Sequence, residues 1–182
     1  ANYLKGPIAV RYSRGAIAEE SGSSLASVSP SPIKEGKAEI LREGNDLLIL
    51  AYGSMAYTAY EAAGLLEKEG FKAAVVNARF AKPLDEELIL RLAKNKALIL
   101  TLEEGTLLGG FGGAVLELFE RNQNNVDLMP FGAVRTLGIP DRFIDHGKRE
   151  LLLDALGLSA QKIKEEVIRL MGAAEKQYVQ SH

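Results

Sequence analysis

The sequence predicts an α/β fold in which a doubly wound, mostly parallel sheet is flanked by helices. Short apolar runs of strand length, such as Asp46–Tyr52 and Ala97–Leu102, alternate with longer segments whose apolar residues recur at helical spacing. The runs are apolar at nearly every position, which is typical of strands covered on both faces. Such strands belong to parallel βαβ units, so helices are expected on both sides of the sheet.

Two strands are predicted before the repeating pattern begins. Ile8–Tyr12 is an apolar run flanked by glycine and proline, and Lys37–Leu41 is a short edge strand. Either this edge strand or the last strand of the sheet could run antiparallel to its neighbours. The polar stretch between them is rich in serine and proline and longer than a usual loop, so we interpret it as a linker.

The strand–helix pattern starts at Asp46–Tyr52. Gly53-Ser54 then turns the chain into a helix over Met55–Glu69, and Gly70 follows at the position where glycine favours a helix end. Ala73–Ala78 has the length and composition of the next strand. These three elements form the first predicted βαβ unit.

A second helix is predicted to begin after Pro83. Asp85 has a residue type favoured at an N-cap, and Glu86 and Glu87 fall in the first turn, where the helix dipole favours acids. Its apolar stripe comprises Leu88, Ile89 and Leu92. This helix leads to the third strand, Ala97–Leu102.

The last third of the pattern contains one more strand and three helices. One helix follows the glycines from Gly109 to Gly113, and four of its residues are expected to face inward: Val115, Leu116, Leu118 and Phe119. A strand is expected within Val126–Arg135. Two short helices, Lys148–Leu156 and Ser159–Met171, are separated by Gly157.

These patterns divide the chain into four segments. Residues 1–15 are the end of one domain, 16–36 a linker, 37–172 the α/β domain and 173–182 a tail with weak periodicity. We interpret the chain, which starts at Ala1, as a piece of a longer protein.

The composition excludes several functional classes. The 182 residues carry a net charge of -2 with no basic cluster, which argues against a nucleic-acid partner. Without cysteine, the chain has no disulfide, thiolate metal site or cysteine nucleophile. No apolar run approaches the roughly 20 residues that span a bilayer, so we expect no membrane association.

The glycines between Gly105 and Gly113 stand where a strand leads into a helix. Free N–H groups at such a helix start can hold a phosphate. The spacing, however, matches neither the dinucleotide fingerprint nor the Walker A loop. We therefore favour close packing of the helix start on a strand or a partner chain over phosphate binding.

Arg79 and Lys82 lie at the carboxyl end of a predicted strand, where open α/β sheets place their sites. Together they could hold an anion. The interpretation we favour is an ion pair between Arg79 and Glu103 or Glu104 of a neighbouring strand, because ion pairs also gather at strand ends.

His146 is flanked by acids in the run Gly138–Gly147 and could act as a general base. A Gly-x-Ser-x-Gly nucleophile motif is missing from the sequence, and Asp141 and Asp145 lack the spacing of metal ligands. A structural or interface histidine is the interpretation we favour.

Arg11 and Arg14 end the first strand beside Gly15. Arginine is suited to phosphate because its planar fork donates two parallel hydrogen bonds. The pattern alone leaves phosphate binding and a surface salt bridge equally open.

The order of these motifs resembles the C-terminal end of thiamine-diphosphate enzymes of the transketolase family, specifically the 1-deoxy-D-xylulose-5-phosphate synthases. The resemblance spans about residues 6–172. Four motifs carry it: Arg11-Tyr12-Ser13-Arg14-Gly15, Asn77–Asp85, Glu103-Glu104-Gly105 with Gly109–Gly112, and Leu137–Gly147. The first and the last of these four are the most specific to the family.

The resemblance implies a transferase that condenses pyruvate with D-glyceraldehyde 3-phosphate, releases carbon dioxide and uses thiamine diphosphate and Mg²⁺. The product feeds isoprenoid, thiamine and pyridoxal phosphate synthesis. Residues 1–15 would then end the pyrimidine-binding domain, and the partners would be the remaining domains of the same chain and a second subunit. The implied location is the cytoplasm, or a plastid in a plant.

Carried over residue by residue, the substrate-phosphate arginine of this family falls on Arg14, with Arg11 a weaker second choice. The diphosphate and metal motif, the activating glutamate and the catalytic histidines have no counterpart here, so this piece alone is expected to be inactive and to bind neither cofactor. Ser13 replaces the usual proline, which loosens the backbone before Arg14.

Two alternatives remain open at this stage. The chain could be a stand-alone binding or dimerisation module whose glycine turns serve protein contacts. It could also belong to another transketolase-type enzyme or to a 2-oxoacid dehydrogenase beta subunit, although the run Gly138–Gly147 argues against that.

Overall fold

The computed structural model describes the backbone of residues 32–124 and 132–180, with side chains as far as residue 172. Within these residues one five-stranded sheet is flanked by helices. The elements are β1 Glu39–Arg42, β2 Leu47–Tyr52, α1 Met55–Lys68, β3 Ala73–Asn77, α2 Glu86–Ala93, β4 Leu98–Thr106, α3 Phe111–Asn122, β5 Ala133–Ile139, α4 Arg149–Ala155 and α5 Ala160–Gln180.

The sheet has the strand order β1-β3-β2-β4-β5. β2 runs parallel to both of its neighbours, and β4 runs parallel to β5. β1 pairs antiparallel with β3 at one edge. The predicted α/β class with a mostly parallel sheet is confirmed, and of the two strands that could have run antiparallel it is the edge strand that does.

Alternation along β2 explains the two helix layers. Leu47, Ile49 and Ala51 pack with α1 and α5 on one face. Leu48 and Leu50 pack with α2 and α3 on the other. All five side chains are fully buried, and burying one leucine contributes about 1.5–3 kcal/mol. The unbroken apolar run is therefore the consequence of a strand that has no exposed face.

Some element boundaries differ from the prediction. β4 continues past Leu102 to Thr106, because the carboxylates of Glu103 and Glu104 find partners on the two faces of the sheet. The strand predicted within Val126–Arg135 is observed at Ala133–Ile139, with residues 125–131 outside the described part. Helix α5 extends beyond the predicted end at Met171, since the residues that follow include strong helix formers.

Of two predictions about single side chains, one is wrong and one is confirmed. Leu116 was expected to face inward but is 44% exposed, because it lies about 100° around α3 from the buried stripe formed by Val115, Leu118 and Phe119. The prediction of Asp85 as the N-cap of α2 is confirmed, although its side chain makes no capping hydrogen bond. Its carboxylate instead accepts hydrogen bonds from the Lys37 ammonium and the Ala38 N–H, both at 3.1 Å.

Several predicted features lie outside the described residues. They include the strand Ile8–Tyr12, the linker within 16–31 and the two candidate phosphate ligands, Arg11 and Arg14. In the described part of the chain, none of the helices is both long and apolar enough to cross a bilayer.

Candidate functional site

The topology places a candidate site between the carboxyl ends of β2 and β4. From β2 the chain passes through α1 to β3 on one side, and it then returns through α2 to β4 on the other side. Open α/β sheets bind their ligands at such a switch point, in the crevice beyond the strand ends. In this chain, the Ser54 hydroxyl just after β2 donates to the Glu104 carboxylate on β4, which joins the ends of these two strands.

Glu103 holds the start of α3. Its side chain is 4% exposed, and its two carboxylate oxygens accept hydrogen bonds from the N–H groups of Phe111 and Gly112, each at 2.9 Å. A buried carboxylate is stable here because the helix N-terminus supplies free donors and a favourable dipole. The N–H groups that could have held a phosphate therefore bind an internal anion.

Two of the glycines before and within α3 are required by close packing. A Cβ on Gly110 would collide with the Thr106 carbonyl oxygen, and a Cβ on Gly112 would lie 2.8 Å from Thr101 Oγ1. Gly109 has a φ of 69°, which glycine adopts without strain. The packing interpretation of this glycine-rich turn is confirmed.

Glu104 points to the opposite face of the sheet and joins three elements. Arg149, the first residue of α4, donates to both of its carboxylate oxygens, with Nε 2.8 Å from Oε1. The Ser54 hydroxyl, just before α1, donates to Oε2 at 2.7 Å, and Arg149 Nη2 lies 3.3 Å from the Ser54 oxygen. Hydrogen bonding to Glu104 raises the pKa of Arg149, which is already protonated at every relevant pH. We call these three side chains the Arg149 cluster.

Arg79 forms the predicted kind of contact with a different partner. Its Nη2 lies 2.6 Å from Oε2 of Glu39 on the edge strand. The prediction of Glu103 or Glu104 as the partner is wrong because β2 separates β3 from β4 in the sheet. The antiparallel pairing of β1 with β3 places Glu39 opposite Asn77, two residues before Arg79. Lys82 is exposed.

The loop between β5 and α4 does not assemble a catalytic group around its histidine. His146, Asp141 and Asp145 are all exposed. The residue that stands out in this loop is Phe143, whose side chain is fully exposed. An interface role for the run Gly138–Gly147 agrees with that exposure better than acid–base chemistry does.

Sequence reasoning missed the roles of Glu103 and Arg149. For Glu103 a signal existed, because an acid that ends a strand shortly before a glycine-initiated helix can bind the start of that helix. For Arg149 the sequence holds no such signal, since 45 residues separate it from Glu104.

The comparison with known families assigns this domain. Residues 36–163 match the family described as Transketolase, C-terminal domain. The chain belongs to this family. The match covers most of the described residues and includes β4, which carries both Glu103 and Glu104, and Arg149 at the start of α4.

Curated relatives of this transketolase C-terminal domain are named 1-deoxy-D-xylulose-5-phosphate synthase. The protein from a Cyanothece species is 47% identical over 167 residues, which cover 92% of this chain and 25% of that protein. The protein from Gloeobacter violaceus is 49% identical over 168 residues, covering 91% of this chain and 24% of that protein. The chain thus spans about a quarter of the length of these relatives.

Solved structures show the same fold. A split-gene transketolase described as an inactive beta4 tetramer has a TM-score of 0.67 and is 33% identical, covering 77% of this chain and 44% of that one. A transketolase variant from Pichia stipitis has a TM-score of 0.53 at 20% identity, covering 75% and 18% of the two chains. At 20% identity, the similarity to this second structure shows a shared fold only.

The described residues of this transketolase C-terminal domain do not fit thiamine diphosphate or Mg²⁺. The helix start suited to a phosphate is taken by Glu103. Among the residues the structure describes, no three His, Asp or Glu side chains are grouped so that they could hold a metal ion. The described part of the domain therefore supports no chemical step through either group.

Proposed function

We propose that this chain is part of a 1-deoxy-D-xylulose-5-phosphate synthase, a transferase that condenses pyruvate with D-glyceraldehyde 3-phosphate. Carbon dioxide leaves, and the two remaining carbons of pyruvate are joined to the aldehyde to give 1-deoxy-D-xylulose 5-phosphate. The observation that carries the proposal is the identity of 47% over 92% of the chain to a relative with this name. The product would serve isoprenoid, thiamine and pyridoxal phosphate synthesis.

In this proposal the chemistry belongs to the part of the enzyme outside this domain. Thiamine diphosphate supplies the carbanion chemistry when it is bound there, together with Mg²⁺. The chain spans about a quarter of its relatives, and the two acids near the end of β4 are engaged in hydrogen bonds within the domain. The transketolase C-terminal domain is thus proposed as a structural part of the enzyme, which would be cytoplasmic.

Arg14 is proposed as the ligand of the substrate phosphate, with Arg11 as the second choice. Both carry the planar guanidinium that matches a phosphate with two parallel hydrogen bonds. The resemblance to the family motif supports Arg14 over Arg11.

A second candidate function is self-association through this domain. It is supported by the similarity of this chain to the split-gene transketolase that is described as a beta4 tetramer and is 33% identical to it. In a full-length synthase the same tendency would support a homodimer.

The deciding experiment is an activity assay of the full-length protein that contains this chain. Pyruvate and D-glyceraldehyde 3-phosphate should be consumed together with thiamine diphosphate and Mg²⁺ present, and 1-deoxy-D-xylulose 5-phosphate should appear. The 182-residue chain alone should show no turnover, because it spans only a quarter of its relatives. Turnover of a ketose phosphate donor instead of pyruvate would assign another member of the transketolase family.

A further inference from the structure

Residues 140–157 form a segment that crosses the carboxyl edge of the sheet. It leaves the end of β5, and its Arg149 contacts Glu104 on β4 and Ser54 just after β2. The structure describes all of these residues, and none of residues 140–157 is buried. A segment with few buried side chains opens at a lower free energy than the core of its domain. We call residues 140–157 the strap.

Backbone hydrogen bonds hold the strap to itself. The Arg142 N–H donates to the Pro140 carbonyl oxygen at 2.7 Å, where the loop leaves β5. At α4, the Leu152 N–H donates to the Lys148 carbonyl oxygen at 3.1 Å, and the Leu156 N–H donates to the Leu152 carbonyl oxygen at 3.0 Å. These bonds need no partner in the sheet, so they can stay intact when the strap moves as a unit.

The strap ends at a residue that suits a hinge. Gly157 has a φ of 78°, which glycine adopts without strain, and a Cβ at this position would meet open space. Leu158, the next residue, is fully buried in the core cluster on the α1 face of the sheet. The chain therefore passes at Gly157 from an exposed segment to an anchored one, where a few backbone dihedrals can absorb an opening motion.

Two kinds of side-chain contact attach the strap to the rest of the domain. Leu153 and Leu156 pack against the core cluster that contains Leu158, but both are only partly buried. Arg149 donates two hydrogen bonds to the Glu104 carboxylate, and these two side chains are 35% and 21% exposed. A partly exposed ion pair contributes modestly to stability, because water screens its charges. These contacts can break without disrupting the sheet.

We propose that the strap is a lid that opens as a unit while the sheet stays folded, with the contact between Arg149 and Glu104 as its latch. The closed strap engages Ser54 and Glu104 at the carboxyl ends of β2 and β4. Opening makes this switch point accessible, and open α/β sheets bind their ligands at such a place. The proposal rests on contacts within the domain and not on the reaction of the full-length enzyme.

Native-state hydrogen exchange of the full-length protein, measured without substrates, tests the opening. The reporters are the amides of Leu152 and Leu156 in the strap, and the reference amides are those of β2, Leu47–Tyr52. We expect the two reporters to share one opening free energy and one urea dependence, both smaller than those of β2. Reporters that open independently of each other, or only together with β2, overturn the proposal.

Two neighbouring acids on opposite faces of β4 give the decisive pair of variants. Glu104→Gln weakens the latch, so it should speed exchange of the strap reporters and of β2 about 5-fold each, because only the closed state loses the contact. Glu103→Gln is the matched control. It weakens a contact with α3 that the open state keeps, so it should speed exchange of β2 about 30-fold and leave the strap reporters unchanged.

The outcomes of this comparison are distinct. If Glu103→Gln speeds the strap reporters as much as β2, the strap opens only when the whole domain unfolds, and the proposal is wrong. If Glu104→Gln leaves the strap reporters unchanged, the latch assignment is wrong. Arg149→Met removes the same contact from α4, in which no residue is buried, and it provides the test if Glu104→Gln does not fold. Its expected effect is the same 5-fold rise, and no rise would again remove the latch.

Discussion

Glu103 and Glu104 are adjacent on β4, and their carboxylates bind helices on opposite faces of the sheet. Glu103 accepts from the first N–H groups of α3, and Glu104 accepts from Arg149 at the start of α4. Alternation along a strand sends neighbouring side chains to opposite faces, so two consecutive acids can serve two layers. This pair lies near the carboxyl end of β4, on the edge of the sheet where related architectures bind ligands.

Glu103→Gln should destabilise the domain by about 2 kcal/mol. The amide keeps one acceptor oxygen, but its NH₂ group faces an N–H donor that is then buried without a partner, and the favourable charge at the helix start is lost. Urea unfolding followed by circular dichroism measures the change in the free energy of unfolding.

The control for this variant is Glu117→Gln, on the exposed side of the same helix. It should change the free energy of unfolding by less than about 0.5 kcal/mol. Equal stability of the two variants would show that the Glu103 carboxylate does not stabilise α3.

Gly112→Ala and Gly113→Ala should change stability in opposite directions. A Cβ at position 112 would lie 2.8 Å from both Thr101 Oγ1 and Thr136 Cγ2, so the helix must move, at a cost of about 1–3 kcal/mol. A Cβ at position 113 meets no atom within 4 Å, and alanine there should stabilise α3 by about 0.5–1 kcal/mol. Thermal unfolding of the two variants side by side measures both signs, and destabilisation by both would contradict the packing argument.

The fold was predictable because its signals are local. The apolar run of β2 and the glycine that follows α1 can be recognised from a few consecutive residues. The structure confirms the strand at the first and the helix end at the second. The sequence left open whether the edge strand or the last strand runs antiparallel, and the structure shows that it is the edge strand β1. The boundary of β4 was not predictable, because charged residues inside a strand are stabilised by partners that only the assembled sheet supplies.

The candidate site was less predictable because its contacts are long-range. Arg79 was expected to pair with an acid at the carboxyl ends of the strands, but the pairing order of the strands determines which acid lies within reach. The contact of Arg149 with Glu104 joins residues that are 45 apart. A contact between residues so far apart in the sequence cannot be predicted from the helical or strand periodicity of the chain. Phe143 was singled out only as part of a motif, since exposure is a property of the folded surface.

The stability of the domain should fall in acid partly through Asp85. Burial alone raises the pKa of this carboxyl group, but the Ala38 N–H and the Lys37 ammonium together hold the pKa below its ordinary value of 3.8. A group with a depressed folded-state pKa stabilises the fold above its unfolded pKa and loses that contribution as the pH falls through the folded value. Asp85→Asn should therefore lower the free energy of unfolding at pH 7 by about 1–3 kcal/mol, and this deficit should shrink below about pH 4.

Urea unfolding of wild type and Asp85→Asn at pH 7 and at about pH 3 measures this difference. Asp141→Asn, at an exposed position, is the matched control and should show no such convergence. A deficit for Asp85→Asn that is the same at both pH values would show that the charge of this carboxylate does not stabilise the fold.

A double-mutant cycle should detect coupling between Arg149 and Glu104. Arg149→Met and Glu104→Gln each leave the other partner without its main contact, so the two losses should not add. We expect a coupling free energy of about 1 kcal/mol, modest because both side chains are partly exposed. Urea unfolding of the four proteins gives this value. The same cycle on Lys162 and Glu165, an exposed pair on α5, should give a smaller coupling. Equal couplings would show that the contact between Arg149 and Glu104 is no stronger than an exposed ion pair.

Arg14→Ala in the full-length protein should weaken use of D-glyceraldehyde 3-phosphate without affecting pyruvate. Loss of a charged hydrogen-bonding partner for phosphate costs about 1.5–3 kcal/mol, which is about a 10- to 100-fold rise in the KM for the phosphorylated substrate. Unphosphorylated D-glyceraldehyde provides the sharper readout, because the wild type should prefer the phosphorylated aldehyde and the variant should lose most of that preference. Arg11→Ala should reduce the preference less, and Lys82→Ala, at an exposed lysine of the C-terminal domain, should leave it unchanged. If Arg14→Ala discriminates between the two aldehydes as well as the wild type does, the phosphate is bound by another residue.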